Sequence, residues 1–364
     1  MSTSTSIGSA PSTSEEEMPS SLLENLTDRF RKSQMKRSRD GEPLAELDVS
    51  LTAEEVYKVC AIAVESFKQQ PALLRISSEL LPLTIIADLH GQLRDVRLIF
   101  EHLGHVNQRN FLFLGDYADR GVQGVEVICF LLVNKIRFPS KCFMLRGNHE
   151  DYNISMVYGL LDECLMKYGE KIGQRVWLSI VNVFNHMPFA ALIGEKIYAA
   201  HGGISPEIDL VEDINRINFF KIVRPCLIPL YGLACDIVWS DPSTQYDGWA
   251  LSSRGISFSY GNRVVEQFCR RNGLDLIIRG HQISNDMHQT GYKFSHNNRV
   301  LTLFTASDYM HSNNTGATLT VQPDMRCQFT LFRPQRKRLP QTVVSKRADK
   351  SRSQKSSSKH SRRR

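Results

Sequence analysis

Residues 111–124 read FLFLGDYADRGVQG, and in them a short apolar run stops at Gly115 and gives way to charged side chains. Short runs of apolar and aromatic residues bounded by glycine are typical of buried strands. The turn that follows carries two carboxylates and a guanidinium, those of Asp116, Asp119 and Arg120. In open α/β sheets, ligands bind beyond the strand ends, on the loops. The stretch therefore predicts a buried strand that delivers three charged side chains to a functional loop.

Five further apolar runs end in the same way, in Asp, His, Asn or Arg side chains. They are LTIIADLHG (83–91), CFMLRGNHE (142–150), KIYAAHGG (196–203), LDLIIRGHQ (274–282) and VLTLFTASDY (300–309). Helical patterns lie between several of these runs. The alternation predicts an α/β fold in which the six polar ends share one rim. Six independent polar loops are the alternative, and the repeated combination of the same side-chain types argues against it.

The side chains predicted at this rim indicate a metal site. Carboxylates, imidazoles and amides that converge without a cation would repel one another or lose their solvation. Mn²⁺, Fe²⁺ and Zn²⁺ accept imidazole and carboxylate together, and a carboxylate can bridge two ions about 3.5–4 Å apart, as in phosphoester hydrolysis. The composite pattern is Asp88-x-His90, then Gly115-Asp116-x-x-Asp119-Arg120-Gly121, then Gly147-Asn148-His149-Glu150.

Composition separates the two ends of the chain from its middle. The chain has 364 residues, of which 41% are hydrophobic, enough for a large buried core. Residues 1–21 are mostly small and polar and are predicted to be disordered. Residues 335–364 carry 12 Lys or Arg against one acid, a net +11 in a chain whose total is +7. They are predicted to form a disordered basic tail, or else a weak nucleic-acid or nuclear-import patch.

Cysteine usage and hydropathy bear on the compartment. The eight cysteines form no CxxC pair, and several lie in apolar runs, which is typical of reduced core residues in an intracellular protein. No apolar run reaches 18 residues, and the N-terminus lacks the features of a signal peptide. We therefore expect a cytoplasmic or nuclear protein that does not enter the membrane.

The order and spacing of the rim motifs resemble the metallophosphoesterase signature. More narrowly, they resemble the PPP family of serine/threonine protein phosphatases, and within it the type 1 enzymes. The likeness extends over residues 22–334 and includes HGGISPEI, WSDP, GWALSSRGISFSYG, RGHQ and LFTASDY. The resemblance implies a single catalytic domain of the α/β class, in which a central β-sandwich of mixed sheets is flanked by helices.

The resemblance also implies an activity and a set of site residues. The protein would hydrolyse phosphoserine and phosphothreonine monoesters by direct attack of a hydroxide held between two metal ions, Mn²⁺ and/or Fe²⁺, with Zn²⁺ as an alternative. The implied ligands are Asp88 and His90 for the first ion, Asn148, His201 and His281 for the second, and Asp116 as the bridge. The implied phosphate-binding residues are Arg120, Arg254, Asn148 and Tyr309. His149 would be the general acid, oriented by Asp119, because a serine alkoxide leaves poorly unless it is protonated.

Regulatory partners are implied as well as phosphoprotein substrates. In type 1 phosphatases an apolar channel accepts an Arg/Lys-Val-x-Phe peptide as an added edge strand. The matching positions here, all apolar, are Ile197, Leu276, Phe294, Met325, Cys327 and Phe329. The alternative is that these six residues simply face the core. The acidic rim of the channel is thinner than in the family, since Gly194 and Pro323 replace acids while Asp275 remains.

Two departures from the family leave every implied ligand in place. DYNISMVYG, after Glu150, differs in a segment that lines a substrate groove, and MHSNNTGA, after Tyr309, lacks the Cys-Gly-Glu-Phe run of type 1 enzymes. One alternative function is a catalytically weak scaffold for regulatory proteins, which the intact ligand set disfavours. Another is a phosphoesterase for small diesters or nucleotides, which the WSDP and SRGISF segments disfavour.

Overall fold

The computed structural model describes residues 14–37, 43–217 and 227–334. Its α-helices are α1 (Ser14–Lys32), α2 (Ala53–Lys68), α3 (Leu93–Leu103), α4 (Gly124–Arg137), α5 (Tyr152–Tyr158), α6 (Leu160–Tyr168), α7 (Glu170–Phe184), α8 (Leu233–Trp239) and α9 (Asn262–Asn272). Its strands are β1 (Met35–Arg37), β2 (Pro43–Leu47), β3 (Leu73–Ile76), β4 (Leu83–Ile86), β5 (Asn110–Phe113), β6 (Cys142–Met144), β7 (Ala190–Ile193), β8 (Ile197–Ala200), β9 (Asp241–Pro242), β10 (Trp249–Leu251), β11 (Phe258–Tyr260), β12 (Leu276–Arg279), β13 (Tyr292–Ser295), β14 (Val300–Leu303), β15 (Gly316–Val321) and β16 (Cys327–Phe332).

Two mixed sheets form the centre of the fold. One has six strands in the order β13-β14-β12-β8-β7-β3, and the other has five in the order β16-β15-β4-β5-β6. Within the first, β8, β12 and β14 are parallel, and within the second, β4, β5 and β6 are parallel. These six parallel strands are the six runs that end in polar residues. The carboxyl ends of parallel neighbours lie at one edge of a sheet, so the motifs of each sheet are gathered there.

Alternation along the strands builds four layers. In β4, Leu83 and Ile85 pack between the two sheets, whereas Ile86 faces the helices on the outer side. Phe111 and Phe113 of β5 join Ile86 in that outer core, together with residues of α2, α4 and α7. A third core covers the outer face of the six-stranded sheet with α8 and α9. The predicted β-sandwich of mixed sheets flanked by helices is therefore confirmed.

The N-terminal boundary differs from the prediction. Helix α1 begins at Ser14, so residues 14–21 are helical, although composition predicts disorder for residues 1–21. Leu23, Leu26 and Phe30 are buried at helical spacing and anchor this helix on α4. Glutamate and methionine, which dominate residues 15–18, have high helix propensity, so the helix extends towards the N-terminus from that anchor.

The chain divides into two units, Met1–Pro334 and Gln335–Arg364. The basic tail and residues 1–13 lie outside the described residues, and their predicted disorder stays a prediction. Six of the cysteines in the described part are buried and free, and Cys327 is free and exposed. Across residues 14–37, 43–217 and 227–334, none of the helices has the length and apolar character needed to cross a membrane.

Candidate metal centre and active site

The loops that leave the parallel strands have unusual backbone conformations. His90, Asp116, Asp119, Arg120 and His281 all have positive φ, between 44° and 68°. Side chains other than glycine rarely adopt this region, and such strain concentrates at functional sites. The loops after β5 and β6 also approach so closely that a Cβ on Gly115 would lie 2.4 Å from the nitrogen of Gly147. Glycine is required there.

Glu150 holds these two loops together. Its buried carboxylate accepts the backbone N–H groups of Asp116 at 2.7 Å, Tyr117 at 2.9 Å and Gly147 at 2.9 Å. The three bonds fix the backbone on both sides of the site, although burial and the charge of Asp116 still raise the pKa of Glu150 to about 7. Sequence reasoning gave Glu150 no role. Its place directly after Asn148 and His149 was the available signal.

Four ligand atoms meet at the site predicted for the second metal. The Nε2 atom of His201 lies 2.9 Å from Oδ1 of Asn148, 3.2 Å from Nδ1 of His281 and 3.3 Å from Oδ1 of Asp116. Nδ1 of His201 lies 3.1 Å from the carbonyl oxygen of Leu114. A carbonyl oxygen only accepts, so the proton of the neutral imidazole belongs on Nδ1, which leaves the lone pair of Nε2 for a cation shared with the other three atoms.

This arrangement fits a cation. Lone pairs that face one another are unfavourable unless a positive charge lies between them. An ion about 2.1 Å from each of its ligands places neighbouring ligand atoms about 3 Å apart, which is the spacing found here. Two imidazoles, an amide oxygen and a carboxylate form a donor set suited to Mn²⁺, Fe²⁺ or Zn²⁺.

A second group of donors lies on the other side of Asp116. Oδ2 of Asp116 is 3.6 Å from Nε2 of His90 and 3.9 Å from Nε2 of His149. His90 has the same tautomeric arrangement as His201, since its Nδ1 is 3.0 Å from the carbonyl oxygen of Ala118. Asp116 therefore faces both groups of ligand atoms, as a bridging carboxylate must.

Asp88, predicted as a ligand of the first ion, is completely buried next to these groups. Its two carboxylate oxygens accept the backbone N–H of His281 at 3.0 and 2.9 Å, and Oδ1 lies 3.8 Å from Nδ1 of His201. The compact group around His90 thus contains His149 in addition to Asp116, and Asp88 lies outside it. The structure places Asp88 at the centre but aims its carboxylate at the loop after β12.

Several ionisable groups at the site have raised pKa values. Burial, together with the charge of Asp116, raises the pKa of Asp88 to about 6. Burial disfavours a charged His149, yet the charge of Asp116 and the hydrogen bond that His149 donates to Asp119 outweigh it and raise the pKa of His149 to about 9. The pKa of His201 is raised in the same way, since Asp116 and Asp88 outweigh burial. Crowded carboxylates therefore attract cations to this edge of the sandwich.

His149 and Asp119 form a buried dyad beside the metal ligands. Nδ1 of His149 lies 2.7 Å from Oδ2 of Asp119, whose side chain is 0% exposed. The other oxygen of Asp119 accepts the N–H of Leu160, the first residue of α6, at 2.8 Å. The imidazole is thereby fixed with Nε2 directed towards Asp116, as the predicted roles of a general acid and its orienting carboxylate require.

Two exposed guanidinium groups and a phenol border this centre. Arg120 lies over the ring of Tyr158, 4.3 Å from its centroid, and the ring of Tyr309 stacks on His90 at 4.8 Å. Nε of Arg254 donates to Asp241 at 2.6 Å. Of the predicted phosphate-binding residues, Arg120 and Arg254 are exposed, Tyr309 lies against the predicted ligand His90, and Asn148 is buried among the ligand atoms.

Asp241 is itself held by Arg279, a residue with 0% exposure. Nη2 of Arg279 donates to the second oxygen of Asp241 at 2.7 Å, and its Nε donates to the carbonyl of Gly202 at 2.6 Å. Asp241 and Arg279 thus position Arg254, a role that sequence reasoning missed. The signals were the aspartate of WSDP and the arginine that ends β12.

The six groove positions divide into two kinds. Ile197 and Leu276 are buried between the sheets, as the core alternative expects. Phe294 lies on the edge strand β13, Phe329 lies on the edge strand β16, and Met325 lies in the turn before β16. The sixth position, Cys327, is exposed on β16.

A cluster of aromatic rings connects the two edges. The ring of Phe329 stacks on Tyr292 with a centroid distance of 3.7 Å and lies 6.1 Å from the ring of Phe294. Phe294 itself is 37% exposed. The structure therefore places an apolar surface where the two sheets end side by side.

Buried nitrogen and oxygen donors at the carboxyl edge of a four-layer α/β sandwich, beside an imidazole acid and two guanidinium groups, define the metallophosphoesterase class. The chain belongs to the calcineurin-like phosphoesterase family, whose sequence profile matches residues 81–285. That range contains all six predicted metal ligands. The predicted resemblance to PPP-type phosphatases is confirmed.

One solved structure agrees with this assignment. The chain is similar to a protein serine/threonine phosphatase from Saccharomyces cerevisiae with similarity to human phosphatase PP5, at 27% identity and a TM-score of 0.71, over 89% of this chain and 98% of that one. It is also similar to a cold-active protein-tyrosine phosphatase of a psychrophilic Shewanella species, at 14% identity and a TM-score of 0.49, over 81% and 89% of the two chains. The second likeness is too low to carry an argument.

Proposed function

We propose that this protein is a metal-dependent protein phosphatase acting on phosphoserine and phosphothreonine. The observation that carries the proposal is the His149–Asp119 dyad, fixed within 3.9 Å of a carboxylate that faces both groups of metal ligands. A phosphoester with an alkoxide leaving group needs a proton donor beside the ligands of its phosphate. The similar yeast protein, named as a serine/threonine phosphatase and matched over 98% of its length, supports the same substrate class.

Two divalent ions, Mn²⁺ and/or Fe²⁺ with Zn²⁺ as an alternative, fit the donor groups. Asn148, His201 and His281 would hold one of them, His90 and Asp88 the other, and Asp116 would contact both. Bound there, such ions would polarise the phosphoryl oxygens and acidify water.

The side chains of the chain itself supply binding and proton transfer. Arg120 and Arg254 would bind phosphate oxygens, since guanidinium groups match them with paired N–H donors. Arg254 is held for this task by Asp241. His149 would donate its Nε2 proton to the departing serine or threonine oxygen, while Asp119 keeps the ring in the required tautomer and orientation.

The two alternatives predicted from the sequence are less well supported. A weak scaffold would be expected to lose a ligand, whereas the sequence keeps the expected residue type at all six proposed ligand positions. Hydrolysis of a small diester also releases an alkoxide that needs a proton. The geometry at His149 therefore does not by itself distinguish a diesterase from a protein phosphatase. The likeness to the yeast phosphatase over nearly its whole length favours a protein substrate. We further propose that the protein acts in the cytoplasm or nucleus. Regulatory subunits would dock on the apolar surface formed by Phe294 and Phe329.

A direct assay separates these functions. The full chain, supplied with Mn²⁺, is incubated with a phosphoserine peptide and, in parallel, with a nucleotide diester. The proposal expects phosphate release from the peptide that is lost on chelation and restored by Mn²⁺, and little turnover of the diester. Preferential turnover of the diester would replace the proposal, and binding of the peptide without turnover would favour the scaffold.

A further inference from the structure

Residues 305–315, the Tyr309 loop, follow β14 and have a strained backbone. The angle φ is positive at Asp308 (50°), Met310 (49°), His311 (62°) and Asn313 (57°). This region is unfavourable for side chains other than glycine, most clearly for a long one such as that of Met310. A strained loop keeps such a conformation only where the surrounding contacts fix it. The contacts at the base of the loop therefore decide where its residues lie.

Asn314 shapes the loop from inside. Its side chain is buried, with 0% exposure. Its Oδ1 accepts the backbone N–H of Tyr309 at 2.7 Å and the hydroxyl of Ser312 at 2.9 Å. Its Nδ2 donates to the carbonyl of Ala306 at 2.8 Å. These partners all belong to the loop, so the amide holds the two arms of the loop together.

Asp95 attaches the loop to α3, the helix that begins three residues after the proposed ligand His90. Its carboxylate is buried, and its two oxygens accept the backbone N–H of Ser307 at 2.6 Å and the hydroxyl of Ser307 at 3.1 Å. One residue earlier, the N–H of Ala306 donates to the carbonyl oxygen of Asp88 at 2.8 Å. Asp95 thus fixes the last residue before the strained positions, on the helix that also follows the ligand segment.

The attachment places the ring of Tyr309 at the candidate active site. The ring stacks on that of His90 at 4.8 Å and meets the ring of Phe304 edge-on at 5.2 Å. The next two residues, Met310 and His311, are exposed, so the tip of the loop gains little support from packing. The position of the Tyr309 ring therefore depends on the base of the loop as well as on the ring contacts.

We propose that Asp95 is a positioning residue for the candidate active site, where it holds Tyr309 over His90 through its two bonds to Ser307. This role rests on the proposed phosphatase function, in which the phenol of Tyr309 binds the phosphate. Without the carboxylate, the strained positions relax and the ring leaves His90. Phosphate then loses one hydrogen-bond donor, whereas the metal ligands keep their places.

A spectroscopic measurement tests the placement and does not require activity. The full chain, loaded with diamagnetic Zn²⁺, is labelled with 3-fluorotyrosine at its 11 tyrosines. The ¹⁹F resonance that is missing from Tyr309→Phe is assigned to Tyr309. Asp95→Ala should shift this resonance, because the ring leaves the ring current of His90. Asp95→Asn should restore it, since an amide can accept the N–H of Ser307 and donate to its hydroxyl.

Steady-state kinetics on a small aryl phosphate, with Mn²⁺, tests the consequence. Asp95→Ala should raise both the KM and the inhibition constant of inorganic phosphate about tenfold, the loss of one hydrogen bond to a charged group, with a smaller change in kcat. Tyr309→Phe should have the same effect. The double variant should be no worse than either single variant, because both changes remove the same contact. Asp95→Asn should stay close to the unmodified chain.

Leu26→Ala controls for a general loss of stability. Leu26 is buried between α1 and α4, outside the loop, so the variant should be less stable and keep its KM. If Asp95→Ala fails to fold, Ser307→Ala replaces it, since that change removes only the hydroxyl bond. It should shift the Tyr309 resonance and raise the KM in the same direction.

An unchanged Tyr309 resonance in Asp95→Ala, or losses that simply add in the double variant, would overturn the proposal. If the unmodified chain shows no turnover, the proposed phosphatase function fails. The ¹⁹F spectra then still decide whether Asp95 positions Tyr309, so the two failures are distinguishable.

Discussion

At the scale of single residues, the dyad of His149 and Asp119 has the most direct chemical consequence. In the protein without metal ions, the negative charges of Asp116 and Asp119 outweigh the effect of burial and raise the pKa of His149 to about 9. In metal-free protein, NMR titration of the imidazole should therefore give a pKa well above the ordinary value near 6.5. Asp119→Asn removes one of the raising interactions and should lower that pKa by about one unit or more. An unchanged pKa in the variant would show that Asp119 does not act on the ring.

A second residue-scale prediction concerns Asp95 of α3, which accepts the N–H of Ser307 at 2.6 Å and its hydroxyl at 3.1 Å. Burial raises the pKa of Asp95 to about 6, against the hydrogen bonds from Ser307. For an acid with a raised pKa in the folded state, the stabilising contribution is full below about pH 4. This contribution is lost as the pH rises through about 6, the pKa of Asp95 in the folded protein.

Asp95→Asn keeps an acceptor for Ser307 and removes the buried charge. The free energy of unfolding of the variant, relative to that of the unmodified chain, should therefore rise between pH 4 and pH 8, by up to about 3 kcal/mol. Asp162→Asn, at an exposed position of α6, is the control and should show a nearly constant difference. Denaturant unfolding at a series of pH values measures both. A difference for Asp95→Asn that falls with rising pH would contradict the assigned sign.

At the scale of elements, strand ends were the part of the site that the sequence predicted best. Each run with a polar end proved to be one of the six parallel strands, because glycine and charged residues cannot continue a buried strand. The sequence did not specify which strands are neighbours. The bond from the backbone of His281 to Asp88 joins residues 193 positions apart and depends on the packing of two sheets. The ion pair between Asp241 and Arg279 likewise could not be predicted from the WSDP segment or from β12 alone.

The start of α1 was mispredicted for a related reason. Composition describes residues 14–21 as unable to bury apolar area, which is correct for that segment by itself. The helix persists there because Leu23, Leu26 and Phe30, further along the chain, are packed on α4. Tertiary packing thus supplies stability that a local window of sequence does not contain.

The edge strands β13 and β16 carry the prediction about regulatory partners. A Val-x-Phe peptide added at this edge should use the surface formed by Phe294 and Phe329. Phe294→Ala should weaken such a peptide by about tenfold or more in calorimetry, without changing turnover of a small aryl phosphate. Leu331→Ala, an apolar position 40% exposed on β16, serves as the comparison and should bind normally. Absence of binding to the unmodified chain would refute the groove and leave the catalytic proposal untouched.

At the scale of the whole molecule, charge is divided unevenly along the chain. Residues 335–364 carry a net +11, and the remainder is mildly acidic. All residues of the candidate site lie before Pro334, so a chain ending at Pro334 should keep its kcat and KM on a small aryl phosphate. Its affinity for polyanions at low salt should fall, since the basic residues are gone. A large loss of turnover on the small substrate would mean that the tail contributes to the fold.

The central prediction for this protein is metal-dependent hydrolysis in which His149 protonates the leaving group, and one comparison tests it most directly. Metal content and turnover are measured for the unmodified chain and for His149→Ala, with a phosphoserine peptide and an aryl phosphate as substrates. The variant should retain its metal and lose about 10²–10⁴-fold in rate on the peptide. Its loss should be much smaller on the aryl ester, whose leaving group needs less protonation. Equal losses on the two substrates, or no metal-dependent turnover of the peptide by the unmodified chain, would contradict the account.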